Sequence, residues 1–272
     1  MSTIEILLKA LRENPWDVLA LMIFIFCWLG YEPFLQRIGK RVGVITRDLS
    51  VIRAAWMKEA TTRDVKLLDS NLMAHAVNSA THFSQVNLIL IAAVAGVLFG
   101  GRLPIRSVQA LGFDIASPLL LQIKLSLITV CLARGLLNFI WALRQMNYCA
   151  AAIGSLPEDL RRDEAPAFGT AIASVLEPAM TNFSQGVRGY YFSLAAAAWL
   201  FGPLSLALAS TAAVALLGWR QSRSQAASGL RRLRELLETR AQAQGAPQAP
   251  VHHATAQIFE ENAASHNSKL ES

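Results

Sequence analysis

The chain has 272 residues, 53% hydrophobic and 16% charged, with a mean hydropathy of +0.36 and a formal net charge of +6. Soluble domains carry about a quarter charged residues, so this composition excludes an ordinary soluble globular domain. The positive charge sits in loops and tail without interleaved aromatics, which excludes nucleic-acid binding and leaves membrane topology and anionic lipid headgroups as its role.

The first apolar block runs from Trp16 to Tyr31. Lys9 and Arg12 before it resemble a secretory n-region, but no small-x-small cleavage site follows, so the block reads as an uncleaved span. The next stretch, about residues 48–80, lacks Pro and Gly. Ile52, Trp56, Leu68, Leu72 and Ala76 recur in it near helical spacing, flanked by Arg47, Arg53, Lys58, Arg63 and Lys66. This pattern predicts an amphipathic helix on the membrane surface, with Asp48 as its cap, running into a second span at 83–99. A short turn holding Gly101 and Pro104 leads to a third span, 115–141.

A second long loop follows, with Pro157 and Pro166, and is expected to be a degenerate counterpart of the first loop, broken at Glu177-Pro178. The fourth span is predicted at 190–219, with a kink site at Gly202-Pro203. A spanning helix needs roughly 17–25 apolar residues, so the first two blocks are short and the last two must tilt, kink or protrude. Residues 226–240 read as a basic amphipathic helix. Residues 241–272, rich in Ala, Gln, Pro and His, read as a disordered tail.

Thr81-His82-Phe83-Ser84-Gln85 opens the second span, and Thr181-Asn182-Phe183-Ser184-Gln185 precedes the fourth. Self-similarity at fixed separation indicates duplication. The expected fold is all-α: a polytopic membrane protein with four transmembrane helices in two parallel two-helix repeats, plus amphipathic interfacial helices, all within residues 1–225. The basic residues after the first span place the N-terminus outside. Four spans would then leave the tail outside too, yet it carries Arg220, Arg223, Arg231, Arg232, Arg234 and Arg240, and the two signals conflict.

Ionisable residues inside spans are costly and face a partner or a water cavity. Lys124, Cys131, Arg134 and Asn138 share one helical face, so the sequence predicts pairs Asp17–Lys124 and Glu32–Arg134 and, with Gln122, a candidate polar path for an ion or small solute. Structural pairing is the blander role of the same residues. Asn71, His75, Asn78, His82 and Gln85 form a second stripe. His75 and His82 are two turns apart, about 10 Å, which makes them poor joint metal ligands and favours hydrogen bonding between helices. Asp64 and Asp69 among basic residues fit local ion pairing better than acid–base chemistry. Cys27, Cys131 and Cys149 fit no metal motif or disulfide framework and read as small buried hydrophobes. No nucleotide, zincin or nucleophile motif is present.

Arg53-Ala54-Ala55-Trp56-Met57, then Arg63-Asp64, Leu68-Asp69 and Asn71-Leu72, with Phe83-Ser84, is similar to the core signature of the domain of unknown function 599 family. So is Arg144-Gln145-Met146-Asn147-Tyr148 with Gly154 and Pro157, and Arg188-Gly189-Tyr190-Tyr191-Phe192 with Trp199. His82-Phe83-Ser84-Gln85 and the long tail depart from the family pattern. The resemblance, over about residues 16–225, implies a four-span protein of the bacterial inner membrane and no particular activity. The expected function is that of a non-catalytic structural or accessory subunit, with a transporter and a membrane redox or hydrolytic subunit as alternatives. Trp56, Arg63, Asp69, Arg144, Asn147, Tyr148, Arg188 and Tyr190 are its expected interaction residues. Membrane lipids, bound phospholipid and a second copy or other membrane subunits are the expected partners, with no cofactor.

Overall fold

A computed structural model describes residues 14–42, 45–63, 65–100 and 118–243; within the first stretch the side chains of Glu32 and of residues 34–42 are outside the description. All regular structure among the described residues is helical. The helices are α1 (Pro15–Val42), α2 (Ile45–Thr62), α3 (Leu67–Phe99), α4 (Pro118–Gly154), α5 (Ala165–Ala198), α6 (Pro203–Arg223) and α7 (Gln225–Ala243), with a 3-10 turn at Trp199–Phe201 between α5 and α6. Three helical stretches are long and apolar enough to cross a membrane: Leu67–Phe99, Pro118–Gly154 and Pro203–Ala243. Pro15–Tyr31 is a shorter apolar helix.

Several boundaries differ from the sequence expectation. The amphipathic segment expected at 48–80 is two helices, because the chain leaves helical geometry after Thr62 and re-enters at Leu67. The break expected at Glu177-Pro178 does not occur: α5 runs through Pro178. The lost backbone hydrogen bond is tolerated because that stretch is clamped from outside, with Gly169 against the Lys58 backbone of α2 and Glu177 accepting from Arg53 at 2.5 Å. The third span extends beyond 141, to Gly154. Residues 244–272, expected to be disordered, lie outside the described residues.

The largest correction concerns the apolar run 190–219, which is a hairpin and not one span. Gly202 has φ 115° and ψ 169°, a region essentially reserved for glycine, and Pro203 starts α6 at a position where its missing N–H costs nothing. The reversal brings Arg220, near the end of α6, to the Tyr191 hydroxyl at 2.8 Å, and sets Leu217 and Gln221 beside Thr181 and Ser184. A mere kink would leave these residues on opposite sides of the turn, tens of ångströms apart at about 1.5 Å per residue.

Two cores divide the bundle along its length. One joins α1, α4, the end of α5 and α6 through Phe24, Leu125, Ile128, Leu132, Phe192, Trp199 and Leu206. The other joins α2 to the first half of α3, the last half of α4 and the start of α5 through Met57, Met73, Met146, Cys149, Ile172 and Leu176. The long helices α3, α4 and α5 thus pass from one bundle into a second. The end where α1, α3 and the hairpin turn meet is called here the near end, and the end holding α2 and α7 the far end. The tail helix α7 docks on α2, where Arg234 meets the buried Asp48 at 3.0 Å. The two strongly basic regions therefore share the far end.

The two similar segments, 81–85 and 181–185, lie on α3 and α5 and meet across α4. Phe83 and Phe183 are 5.8 Å apart at their ring centroids, and each is 5.9 Å from Phe139. The α4–α5 crossing is tight because glycines face each other there. A Cβ on Gly189 would stand 3.2 Å from the Gly135 Cα, and one on Gly186 would strike the Phe139 ring at 2.6 Å.

Gly202→Ala is expected to cost about 1–3 kcal/mol through the forbidden backbone angle and to lower the thermal midpoint in detergent. Gly186→Ala acts elsewhere, by displacing Phe139. An unchanged midpoint for Gly202→Ala would show that the turn does not need the glycine.

Candidate functional site

Polar groups concentrate in three places. At the near end, Trp199 donates from Nε1 to Asp17 Oδ1 at 2.6 Å, and Lys124 Nζ lies 3.9 Å from the same oxygen. All three residues are buried, and the ammonium also sits 5.8 Å from the Trp199 ring centroid. The sequence paired Asp17 with Lys124; it did not reveal Trp199, whose indole closes over both. That carboxylate joins α1 to the hairpin turn and α4 to both.

The second place is a cleft between α1, α4 and α5, lined by Trp28, Tyr31, Cys131, Arg134, Asn138, Gln185 and Arg188. The Arg134 guanidinium stacks on Trp28 at 5.3 Å from the ring centroid, and that of Arg188 on Tyr31 at 5.7 Å. The side chain of Glu32, the expected partner of Arg134, lies outside the described residues. The cleft is partly open and leaves about 40 Å³ for the centres of water molecules, room for a few waters.

These two places do not join. Lys124 and Arg134 are ten residues apart, about 15 Å along the helix. Phe24, Ile128, Leu132 and Phe192 fill the interval, all buried, with Phe24 and Phe192 edge to face at 6.3 Å. Gln122 is exposed, turned away from Lys124. Of the six candidate polar-path residues, then, Asp17 and Lys124 meet at one level, Arg134 and Asn138 share a cleft at another, Gln122 stands apart, and Glu32 is outside the description.

The third place is the far-end bundle, where the Arg-x-x-Trp and Leu-Asp strings converge. Asp69 is fully buried at the start of α3, and its Oδ1 accepts from Trp56 Nε1 at 2.7 Å and from Arg63 at 2.6 Å. Arg53 pairs with Glu177 and Arg234 with Asp48, so α2 is tied to α3, α5 and α7 by three carboxylates. Asn182, at the position that corresponds to His82 in the similar segment, donates to Gln145 at 2.7 Å. Arg144 donates to the Tyr148 hydroxyl at 3.0 Å on an exposed face, with Asn147 also exposed. Tyr190 donates its hydroxyl proton to the Phe83 carbonyl at 2.6 Å.

His75 and His82 are exposed on α3, as are Asn71, Asn78 and Gln85, so this stripe faces the outside of the bundle. No group of three His, Cys, Asp or Glu that could hold a metal occurs among the described residues. Cys131 and Cys149 are buried and Cys27 partly so, all as free thiols. In the linker before α5, the Arg161 guanidinium holds the exposed Asp163 carboxyl below its usual range. Sequence reasoning missed the pairing of Arg53 with Glu177, and it missed Asn87. Asn87 is buried in α3 and donates to the Leu132 carbonyl at 2.9 Å; a single polar residue in an apolar run is the signal that could have found it.

Long apolar helices, buried charge pairs and interhelical polar clamps define an α-helical membrane protein. Residues 19–226 match the family described as "Protein of unknown function, DUF599", and the chain belongs to that family. None of the curated proteins and none of the solved structures matches it.

Removing one partner of a buried charge pair costs about 3–5 kcal/mol, while replacing both costs far less. Asp17→Leu should therefore destabilise more than the double variant Asp17→Leu/Lys124→Met in thermal unfolding. Additive losses would show that the two do not interact. Asp69→Ala, which strands Trp56 and Arg63, should cost about 3 kcal/mol, read by the same unfolding measurement and by protease sensitivity of the α2–α3 junction.

Proposed function

We propose that the protein is a non-catalytic scaffold or accessory subunit of a bacterial inner-membrane assembly, with its far-end bundle as the presenting face. The observation that carries this reading is where the motif residues are spent. Trp56, Arg63, Asp69, Arg53 and Glu177 lock α2 onto α3 and α5, so their polar groups are taken up by contacts between helices. Arg144, Asn147 and Tyr148 are left exposed beside this bundle and can meet a partner. The apolar layer between Lys124 and Arg134, and the small size of the cleft, weigh against a solute path.

The hairpin supports a five-crossing topology. If α6 crosses the membrane, α5, antiparallel beside it, crosses too, and with α1, α3 and α4 the count is odd. The basic first loop and the basic tail then lie together at the far end, on the cytoplasmic side by the positive-inside rule, and the near end lies outside. The conflict between the two charge signals disappears.

Two measurements test this. Single cysteines placed at the exposed Thr62 and Thr239 should be labelled from the cytoplasmic side by an impermeant thiol reagent, and one at Trp16 from the opposite side; any other pattern removes the topology. Mass spectrometry of the chain purified in mild detergent should find a stoichiometric membrane-protein partner that is lost in Arg144→Ala/Tyr148→Ala. Ion or solute flux in proteoliposomes that disappears with Lys124→Met would replace the scaffold reading with transport.

A further inference from the structure

We propose that the outer face of α3 is a docking seam for the α3 of a second copy of this chain. The alternating steps of four and three that begin at Asn71 continue past Gln85 to Gly96 and Phe99 without a break, and every position on this line is exposed. A period of about 3.5 residues is the one along which two helices stay in contact over several turns. The opposite face of α3, with Met73, Ala80 and Asn87, is the one buried within the chain. The helix thus has two seams, and its own chain fills one.

The chemistry of the outer line identifies its occupant. From Asn71 to Gln85 it carries carboxamides and imidazoles, groups that both donate and accept hydrogen bonds. Gln85 lies inside the apolar run 83–99 of a helix long enough to cross a membrane, where an exposed amide calls for a polar partner. Two copies in one membrane share their orientation. A two-fold axis between them sets the α3 helices parallel and places each residue beside its own counterpart. An amide or a neutral imidazole can bond its counterpart, whereas a charged group would repel it. No Asp, Glu, Lys or Arg occurs from Ser70 to Phe99. Gly96 is a separate sign. A Cβ there would meet nothing among the described residues within 4 Å, so no contact inside the chain calls for the glycine. Glycine weakens a helix interior, and the close approach of a second helix at Ala92 and Gly96 offsets that loss. The seam uses none of the residues assigned above to the partner-binding face, so either reading can fail alone.

The test is cysteine cross-linking in native membranes, together with native mass spectrometry of the full chain in mild detergent. In a Cys27→Ala background, Ile89→Cys and Ala92→Cys should give covalent dimers of this chain on mild oxidation. Leu90→Cys, turned off the line, and Leu137→Cys on α4, both at exposed positions, should not. The purified chain should be a dimer, and His82→Leu/Gln85→Leu should raise its dissociation constant about tenfold, the scale of two or three hydrogen bonds between helices in lipid. Gly96→Leu should weaken the dimer as much through bulk, with the melting transition of the monomer kept, because the chain leaves space at that position. The proposal is overturned if Ile89→Cys and Ala92→Cys give no dimer, or if they are captured by a different protein in place of a second copy. It is equally overturned if Leu90→Cys and Leu137→Cys cross-link as readily, or if both seam variants dimerise like the wild-type chain.

Discussion

The close approach of α4 to α5 sets the level of everything else in the bundle. Gly135 and Gly189 let the two backbones touch, and Gly186 makes room for Phe139. In a bilayer, where lipid tails are as apolar as leucine, such contact gives helices a packing energy that burial alone does not. With that crossing fixed, Lys124 falls at the level of Trp199, Arg134 at the level of Arg188, and Gln145 opposite Asn182. Each polar pair is a consequence of one register. A shift of a single turn along α4 would separate all three.

The two cores do different work. The near-end core surrounds Asp17 and Lys124 and contains most of the aromatic contacts of α1. The far-end core is built on methionines and alanines and is held at its rim by carboxylates that bridge helices. Desolvated ion pairs contribute specificity more dependably than stability. Asp69, Glu177 and Asp48 each name one partner for α2, which keeps an otherwise short amphipathic helix in a single position. An amphipathic helix held this way packs against protein on the face that a free one would give to lipid.

Much of this was legible in the residues. Apolar blocks mark helices well, and the helical face shared by Lys124 and Arg134 pointed to Asp17 because charge inside a span needs an opposite charge at the same depth. Hydropathy fails where the chain turns without becoming polar. Leu200-Phe201-Gly202-Pro203 reverses direction inside an apolar run, and nothing but the Gly-Pro pair distinguishes it from a kink. Pro178 misled in the other direction, since the packing of α5 between α2 and α4 outweighs one missing hydrogen bond. The far-end clamps were partly visible, because Trp56, Arg63 and Asp69 stood out as a group; Glu177 did not, being 124 residues from Arg53.

The bond from Trp199 to Asp17 spans 182 positions of the chain. During synthesis the first helix is made long before the indole that completes its carboxylate. Asp17, and later Lys124, must therefore wait in a nascent protein with part of their final shell missing. The hairpin is the last apolar element to emerge, and its arrival closes a ring that begins at the first helix. Assembly at the near end is thus a late step, and a chain truncated before residue 199 would lack both the indole that completes the Asp17 carboxylate and α6, the helix on which α1 chiefly packs.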